Sequence, residues 1–251
     1  LQQTLASRST DPARLPLLAR IASMDAAIES LRNFRSALQF CMSQSRNNVV
    51  LITGPTEGLG KSFVSVNLAC VMAASGKRVL LIDGDLRDGH LHRYFHAERS
   101  VGLSDLLAGA PLDAVLRREL MENVDFISTG NLPPNPSELL LRAELAVLLT
   151  TRSPEYDLVL IDAAPLLAAA DSLILGTHAG AIFLATRAGI TRPAEIAEAL
   201  KRLARAGLSA KGLLFNDFTP RPGHYSYGYG SYGRRQLTYT ASPSVSGKLG
   251  A

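Results

Sequence analysis

Val49-Val-Leu-Ile-Thr-Gly-Pro-Thr-Glu-Gly-Leu-Gly-Lys-Ser-Phe63 is the most informative stretch of this 251-residue chain. Val49 to Ile52 is a short apolar run of the kind that forms a buried strand. A glycine-rich turn follows, and Lys61-Ser62 opens an apolar helical run from Phe63 to Ala74. Strand, Gly-rich turn, Gly-Lys-Ser and helix is the layout of a phosphate-binding loop. Peptide N–H groups of the turn would wrap the phosphates, Lys61 would reach the β and γ phosphates, and the Ser62 hydroxyl would ligate Mg²⁺. The residues expected against the nucleotide are Gly54, Thr56, Glu57, Gly58, Leu59, Gly60, Lys61, Ser62 and Phe63. The spacing departs from the usual one: Gly54 sits one residue early, and Pro55, which has no N–H to donate, holds its place. The competing reading is a plain glycine turn beside a surface lysine.

Beyond this stretch, two more apolar runs end in acids. Val79-Leu-Leu-Ile82 leads into Asp83-Gly-Asp85-Leu-Arg87, and Asp157-Leu-Val-Leu-Ile-Asp162 has the form of a Walker B strand. Acids at the carboxyl ends of parallel strands lie where open α/β sheets bind ligands. Asp83 and Asp162 are candidates to hold Mg²⁺ with Ser62, and Asp83 or Asp85 to accept a proton. Lys61, Asp83, Asp85 and Asp162 form the candidate catalytic set, and ATP with Mg²⁺ is the expected ligand.

The remaining elements read as an α/β protein. Residues 1–19 carry Pro12 and Pro16 and read as a linker. Ile21 to Met42 reads as one helix, because Ile28, Leu31, Phe34, Ala37 and Leu38 recur at helical spacing. Leu103 to Arg118 reads as one or two short helices, Val124 to Ile127 as a strand, and Pro133 to about Thr151 as a stop followed by one helix. Ala181 to Ala185 and Gly212 to Phe215 read as strands flanking a helix from Pro193 to Ala206. Strands alternating with helices predict a mostly parallel sheet covered on both faces, in one domain over residues 20–217.

Composition narrows the function classes. The net charge is +4 and the hydrophobic fraction 47%, enough for a substantial core. Lysines number only five, so Lys61 is a rare residue in a telling place. No basic stripe points to nucleic acid. Cys41 and Cys70 fall in expected helices and read as packing residues of a reducing compartment. His90, His92 and His96 read as a surface loop or short helix rather than a metal site. No uncharged apolar run reaches membrane-spanning length. The chain opens on Leu1, and is expected to be a piece of a longer protein.

Two surface features remain. Glu29, Arg32 and Arg35 share one helix face, a self-complementary patch if two copies meet head to tail, or otherwise an ordinary solvated face. After Phe218 the composition turns to Gly, Ser, Pro and Tyr, as in disordered segments. Residues 218–251 hold Tyr225, Tyr227, Tyr229, Tyr232 and Tyr239, with Arg221, Arg234, Arg235 and Lys248 and no acid. A basic segment of this kind would be drawn to an acidic, phosphate-bearing site.

These motifs together resemble the bacterial tyrosine kinases, in particular the cytoplasmic kinase domain of Wzc-like polysaccharide co-polymerases. The likeness runs from about Ile28 onward. Glu29-x-x-Arg32-x-x-Arg35 looks like the family's ring-forming motif, and Thr53 to Ser62 like its variant Walker A. Leu81-Ile-Asp-Gly-Asp-Leu-Arg87 looks like its Walker A′, and Ser128 to Leu139 like a further stretch recurrent in the family. The resemblance implies a P-loop, MinD/ParA-related fold and an ATP-dependent protein-tyrosine autokinase that phosphorylates its C-terminal cluster in trans. It also implies Arg87 near phosphates or an acidic partner, Asn216 near the adenine, and a ring of subunits, an octamer in this family. Further implied partners are polysaccharide polymerisation and export machinery and a cognate tyrosine phosphatase, at the cytoplasmic face of the inner membrane. Ala163-Ala164-Pro165 departs from the family, which often has a small hydroxyl residue and two prolines there. A MinD/ParA-type switch ATPase is the rival reading, but it usually carries an early loop lysine where this chain has Pro55 and Thr56. A non-catalytic scaffold phosphorylated by another kinase is the third.

Overall fold

The strands of the computed structural model are, in chain order, β1 (Val49–Thr53), β2 (Val79–Asp83), β3 (Leu116–Met121), β4 (Val124–Ile127), β5 (Leu158–Asp162), β6 (Ala181–Arg187) and β7 (Gly212–Asn216). The structure describes residues 15–218. The strands form one sheet in the order β3-β4-β2-β5-β1-β6-β7. All neighbours are parallel except β3 against β4. The helices are α1 (Leu18–Ile21), α2 (Ala26–Ser43), α3 (Lys61–Ala73), α4 (Leu103–Leu107), α5 (Leu112–Val115), α6 (Pro136–Leu140), α7 (Ala143–Arg152), α8 (Asp171–His178) and α9 (Pro193–Arg205).

The central strands are apolar throughout because both sheet faces are covered. Successive side chains point to opposite faces. Val50, Ile52, Leu81, Leu160 and Phe183 therefore join one core with α1, α2 and α3. Val49, Leu51, Leu80, Ile82, Ile161 and Leu184 join a second with Leu103, Leu148, Leu175 and Leu203 on the opposite face. Every residue of α3 is buried, since α2 and the sheet enclose it. That explains a helix with little polar face. Phe34 of α2 meets Phe183 of β6 edge-on, with ring centroids 5.0 Å apart.

Several expected boundaries differ. The helix expected from Ile21 starts at Ala26 instead, where the Asp25 side chain accepts from Ala27 N–H at 2.8 Å as its cap. Residues 15–19, read as linker, pack on the body: Leu17 and Leu18 are buried, and Ala19 N–H donates to Asn67 Oδ1 at 2.8 Å. The stretch expected to be helical up to Arg118 yields α4 and α5 and then β3, an antiparallel edge strand. The helix expected after Pro133 is broken at Leu141-Arg142 into α6 and α7. The 3₁₀ turn Leu91–Phe95 agrees with a short helix at the histidines, but His92 is buried rather than on the surface. Cys41 and Cys70 are both helical, and neither forms a disulfide. Among the described residues no helix is long and apolar enough to cross a membrane. The five tyrosines of the C-terminal segment lie outside the described residues.

Candidate active site

Three parallel strands, β2, β5 and β1, lie side by side and end together. In register, Ile52 pairs with Asp162 and Asp83 pairs with Asp162. The loop that follows β1 and the two acids that end β2 and β5 therefore share one edge of the sheet. Thr53 and Gly54 leave β1, and Gly60 in the left-handed conformation (φ 84°) turns the chain into α3. Gly60 also has no room for a side chain, since a Cβ would lie 2.0 Å from Asn216 Nδ2. The Gly54 and Pro55 carbonyls accept from Leu166 and Leu167 N–H at 2.8 and 3.1 Å, so the loop's early half is anchored by the segment after β5. Pro55, which cannot donate, serves as an acceptor there.

Asp162 is almost wholly buried and fully engaged. Its Oδ2 accepts from Ser62 Oγ at 2.6 Å and its Oδ1 from Ser65 Oγ at 2.9 Å. Burial raises its carboxyl above the usual range, while those hydroxyls and the Lys61 charge pull the other way. Lys61 is buried, and its Nζ lies 3.5 Å from the Thr56 carbonyl within the loop. Asp83 accepts from Leu91 N–H through Oδ2 at 2.9 Å. Its Oδ1 is buried and has no hydrogen-bond partner. Burial, then the Asp162 charge, pushes its carboxyl up to about 8. Two facing carboxylates and a hydroxyl form an all-oxygen donor set, the kind Mg²⁺ prefers. A cation would answer both the orphaned Asp83 oxygen and the mutual repulsion of the acids. Ser62, Asp83 and Asp162 therefore fit such an ion.

Asp85 is half-buried, and its Oδ1 caps the turn by accepting from Arg87 and Asp88 N–H at 3.1 and 3.0 Å. Arg87 turns to a neighbour instead: its Nε and Nη2 donate to the buried Asp171 at 2.8 and 3.1 Å. Ser137 Oγ joins them, 2.6 Å from Asp171 and 3.2 Å from Arg87. Arg87 is thus paired within the chain, at the start of α8. Asn216 Nδ2 donates to the Leu59 carbonyl at 3.1 Å, which puts it beside the loop. Glu57 and Gly58 lie on the loop's exposed side, with Thr56 half-buried and Phe63 buried in α3.

The structure adds Ser65, Asp171 and Arg187, which the motifs do not name, and gives Ser137, inside the recurrent stretch Ser128 to Leu139, a contact. Ser65 is detectable in the sequence, since one helical turn separates it from Lys61-Ser62 on the same face. The others depend on contacts between distant segments. The ring-motif residues lie away from this edge, on α2. Glu29 and Arg32 pair with each other, and Arg35 Nη1 reaches the Val71 carbonyl at 3.5 Å. Thr53 and Ser172 hydroxyls both donate to the Ala164 carbonyl. Small hydroxyls therefore cluster there even without one at 163 or 164.

Residues 50–229 match the family described as the CobQ/CobB/MinD/ParA nucleotide binding domain. A relative named "Putative tyrosine-protein kinase EpsB", from Ralstonia nicotianae (strain ATCC BAA-1114 / GMI1000), is 49% identical over 232 residues, covering 91% of this chain and 31% of that protein. The chain thus spans about a third of the length of the curated relatives it matches. The solved BceF tyrosine kinase domain is 45% identical with a TM-score of 0.78, covering 85% of this chain and 86% of that one. The kinase domain of the Escherichia coli tyrosine kinase ETK is 36% identical with a TM-score of 0.80, covering 91% and 92%. With a loop, two strand-end acids and a fold of this kind, the chain belongs to the bacterial tyrosine kinases, built on the MinD/ParA nucleotide-binding scaffold.

Proposed function

We propose that the chain is an ATP-dependent protein-tyrosine autokinase acting on its own C-terminal tyrosines in trans, within a ring of identical subunits. The observation that carries this reading is the in-register pairing of Asp83 with Asp162 beside Ser62, at the mouth of the Lys61 loop. Lys61 and the loop amides would hold the ATP phosphates. Ser62, Asp83 and Asp162 would hold Mg²⁺, which when bound neutralises phosphate charge. Asp85, at the half-buried mouth, is the proposed acceptor of the tyrosyl proton, with Asp83 the alternative. Phosphoryl transfer asks the protein mainly for positioning and charge compensation, and these residues can give both.

The choice of acceptors has a structural side. Tyr94 and Tyr156 are the tyrosines among the described residues, and both are buried. Tyr156 donates to Asp125 Oδ2 at 2.7 Å, and burial pushes its phenol well above the usual range. Tyr225, Tyr227, Tyr229, Tyr232 and Tyr239 are therefore the proposed acceptors. Each phosphate adds about −1.5 to −2 in charge, so several would outweigh the four bases nearby and weaken attraction to the acidic site. The ring, through Glu29, Arg32 and Arg35, would loosen as phosphate accumulates. A role in exopolysaccharide or capsule polymerisation and export follows the resemblance to Wzc-like polysaccharide co-polymerases. It would set the chain at the cytoplasmic face of a membrane beside polymerase and phosphatase partners.

Incubating the purified chain with ATP and Mg²⁺ should yield phosphotyrosine, mapped by phosphopeptide mass spectrometry to residues 225–239. Lys61→Met should abolish it. A mutant that labels as well as the wild type would remove Lys61 from the mechanism. Phosphate release without phosphotyrosine would favour a switch ATPase.

A further inference from the structure

Arg187 closes β6 and pairs in register with Asn216 of β7. Its guanidinium makes three hydrogen bonds. Nη1 donates to the Gly58 carbonyl at 3.1 Å, while Nε and Nη2 both donate to Asp217 Oδ2 at 3.1 and 3.0 Å. Next to it, Asn216 Nδ2 donates to the Leu59 carbonyl, and Asp217 N–H donates to Asn216 Oδ1 at 2.9 Å. Two consecutive loop carbonyls are thus caught from outside by the ends of β6 and β7. Gly58 adopts φ 70°, a conformation glycine tolerates and most residues do not.

We propose that Arg187 is a positioning residue for the nucleotide loop, clasping Gly58 to Asp217 at the root of the tyrosine-bearing segment. The proposal rests on the reading of the Lys61 loop as the nucleotide site. A phosphate-binding loop must turn its N–H groups inward, so its carbonyls must face out. Left alone, outward carbonyls are satisfied by water and the loop samples other peptide orientations. Held by a charged, forked donor, they fix the inward set before the nucleotide arrives. Lysine offers a point charge and cannot hold both partners in the same geometry. Asp217 keeps the fork aimed, since it takes two of the three hydrogen bonds. It lies two residues before Thr219, where the chain leads on toward Tyr225.

The effect belongs to binding rather than to the transfer step, and the ion pair is exposed enough to add little to fold stability. The test uses the full chain. Mg²⁺–ADP affinity is measured by calorimetry, together with KM for ATP and kcat for phosphotyrosine formation. Arg187→Ala should weaken ADP roughly tenfold and raise KM by a similar factor, with kcat within about twofold. The melting temperature without nucleotide should move by no more than about 2 °C. Arg187→Lys should not restore affinity. Asp217→Ala should give part of the loss, and the double variant should be no worse than Arg187→Ala, the signature of one coupled unit. ADP affinity within about twofold of wild type in Arg187→Ala, full rescue by lysine, or additive losses in the double variant would overturn the clasp. ADP binding needs no phosphoryl transfer. A wild-type chain that binds ADP yet forms no phosphotyrosine would therefore defeat the kinase reading while leaving this inference intact.

Discussion

Asp83 and Asp162 end adjacent parallel strands, paired in register and both buried, yet their surroundings differ. Asp162 is met on both oxygens by hydroxyls from α3. Asp83 is met on one oxygen by a backbone N–H, with the Thr129 hydroxyl close to the carboxyl, and its Oδ1 has no hydrogen bond. Both oxygens of one strand-end acid are hydrogen-bonded within the fold, and one oxygen of the other is not. A buried polar atom without a partner is a cost that a stable domain normally avoids. Its presence beside a phosphate-binding loop is what a site for Mg²⁺ would require.

The same substitution at both positions tests that contrast most strongly. Asp83→Asn and Asp162→Asn should each lower phosphotyrosine formation by about 100-fold or more, because each removes an anionic oxygen that would hold the Mg²⁺ set against the phosphates. Nucleotide-free stability should separate them. Asp162→Asn would set an amide N–H₂ against a serine hydroxyl that now donates, costing about 1–2 kcal/mol. Asp83→Asn would keep the Leu91 hydrogen bond and lose a repelled, desolvated carboxyl, so stability should hold or rise. Urea melts without nucleotide read the difference directly. Equal losses at both positions would mean that Asp83 is as structural as Asp162.

How much of this was legible in the sequence follows from the same physics. β1, β2 and β5 are apolar runs that end in Thr53, Asp83 and Asp162, because a parallel strand buried on both faces needs no polar side. β3 is hidden, since Leu116-Arg-Arg-Glu-Leu-Met121 is an edge strand whose exposed charges also suit a helix. The helical break at Leu141-Arg142 has no glycine or proline to announce it. Lys61, Ser62 and Asp162 converge as the motif spacing implies. The partner of Arg87 could not be read, because Asp171 lies 84 residues away and reaches it only through tertiary packing. The Arg187 clasp is hidden in the same way, being set by the register of β6 against β7.

A second buried atom without a partner extends the contrast from another side. His92 Nδ1 sits in the 3₁₀ turn whose first residue, Leu91, holds Asp83. Burial, then the charges of Arg99 and Arg93, lowers its imidazole to about 4. The unfolded chain takes up this proton near pH 6.5 and the folded chain only near 4. In that window the unfolded state holds the extra proton at His92, so this group's share of the stability falls as the pH falls, while Asp83, raised to about 8 in the fold, contributes with the opposite sign. Between pH 6.5 and 5 the His92 share of the loss should reach at most about 1.5 kcal/mol, and His92→Phe should shift the profile by that amount toward greater stability at the acid end. Melts at stepped pH decide the matter. An unchanged slope in the variant would show that His92 is exposed to water in solution, unlike Asp83.

The smallest expected stability effect lies on α2, where charge is exposed and the argument reverses. Glu29 and Arg32 form an ion pair in which both side chains remain substantially accessible, and Arg35 touches one backbone carbonyl at its distance limit. Such contacts contribute at most about 1 kcal/mol to a folded subunit. Arg32→Ala with Arg35→Ala should therefore leave the urea midpoint nearly unchanged. If the face is a self-complementary interface, the unphosphorylated protein should fall from its oligomeric mass to a monomer by light scattering. Raised salt should act in the same direction, because exposed pairs are screened. A mass that holds through both changes would return this face to ordinary solvated charge. The contrast with Asp162 would then hold for this helix: its exposed charges would organise neither the fold nor an interface.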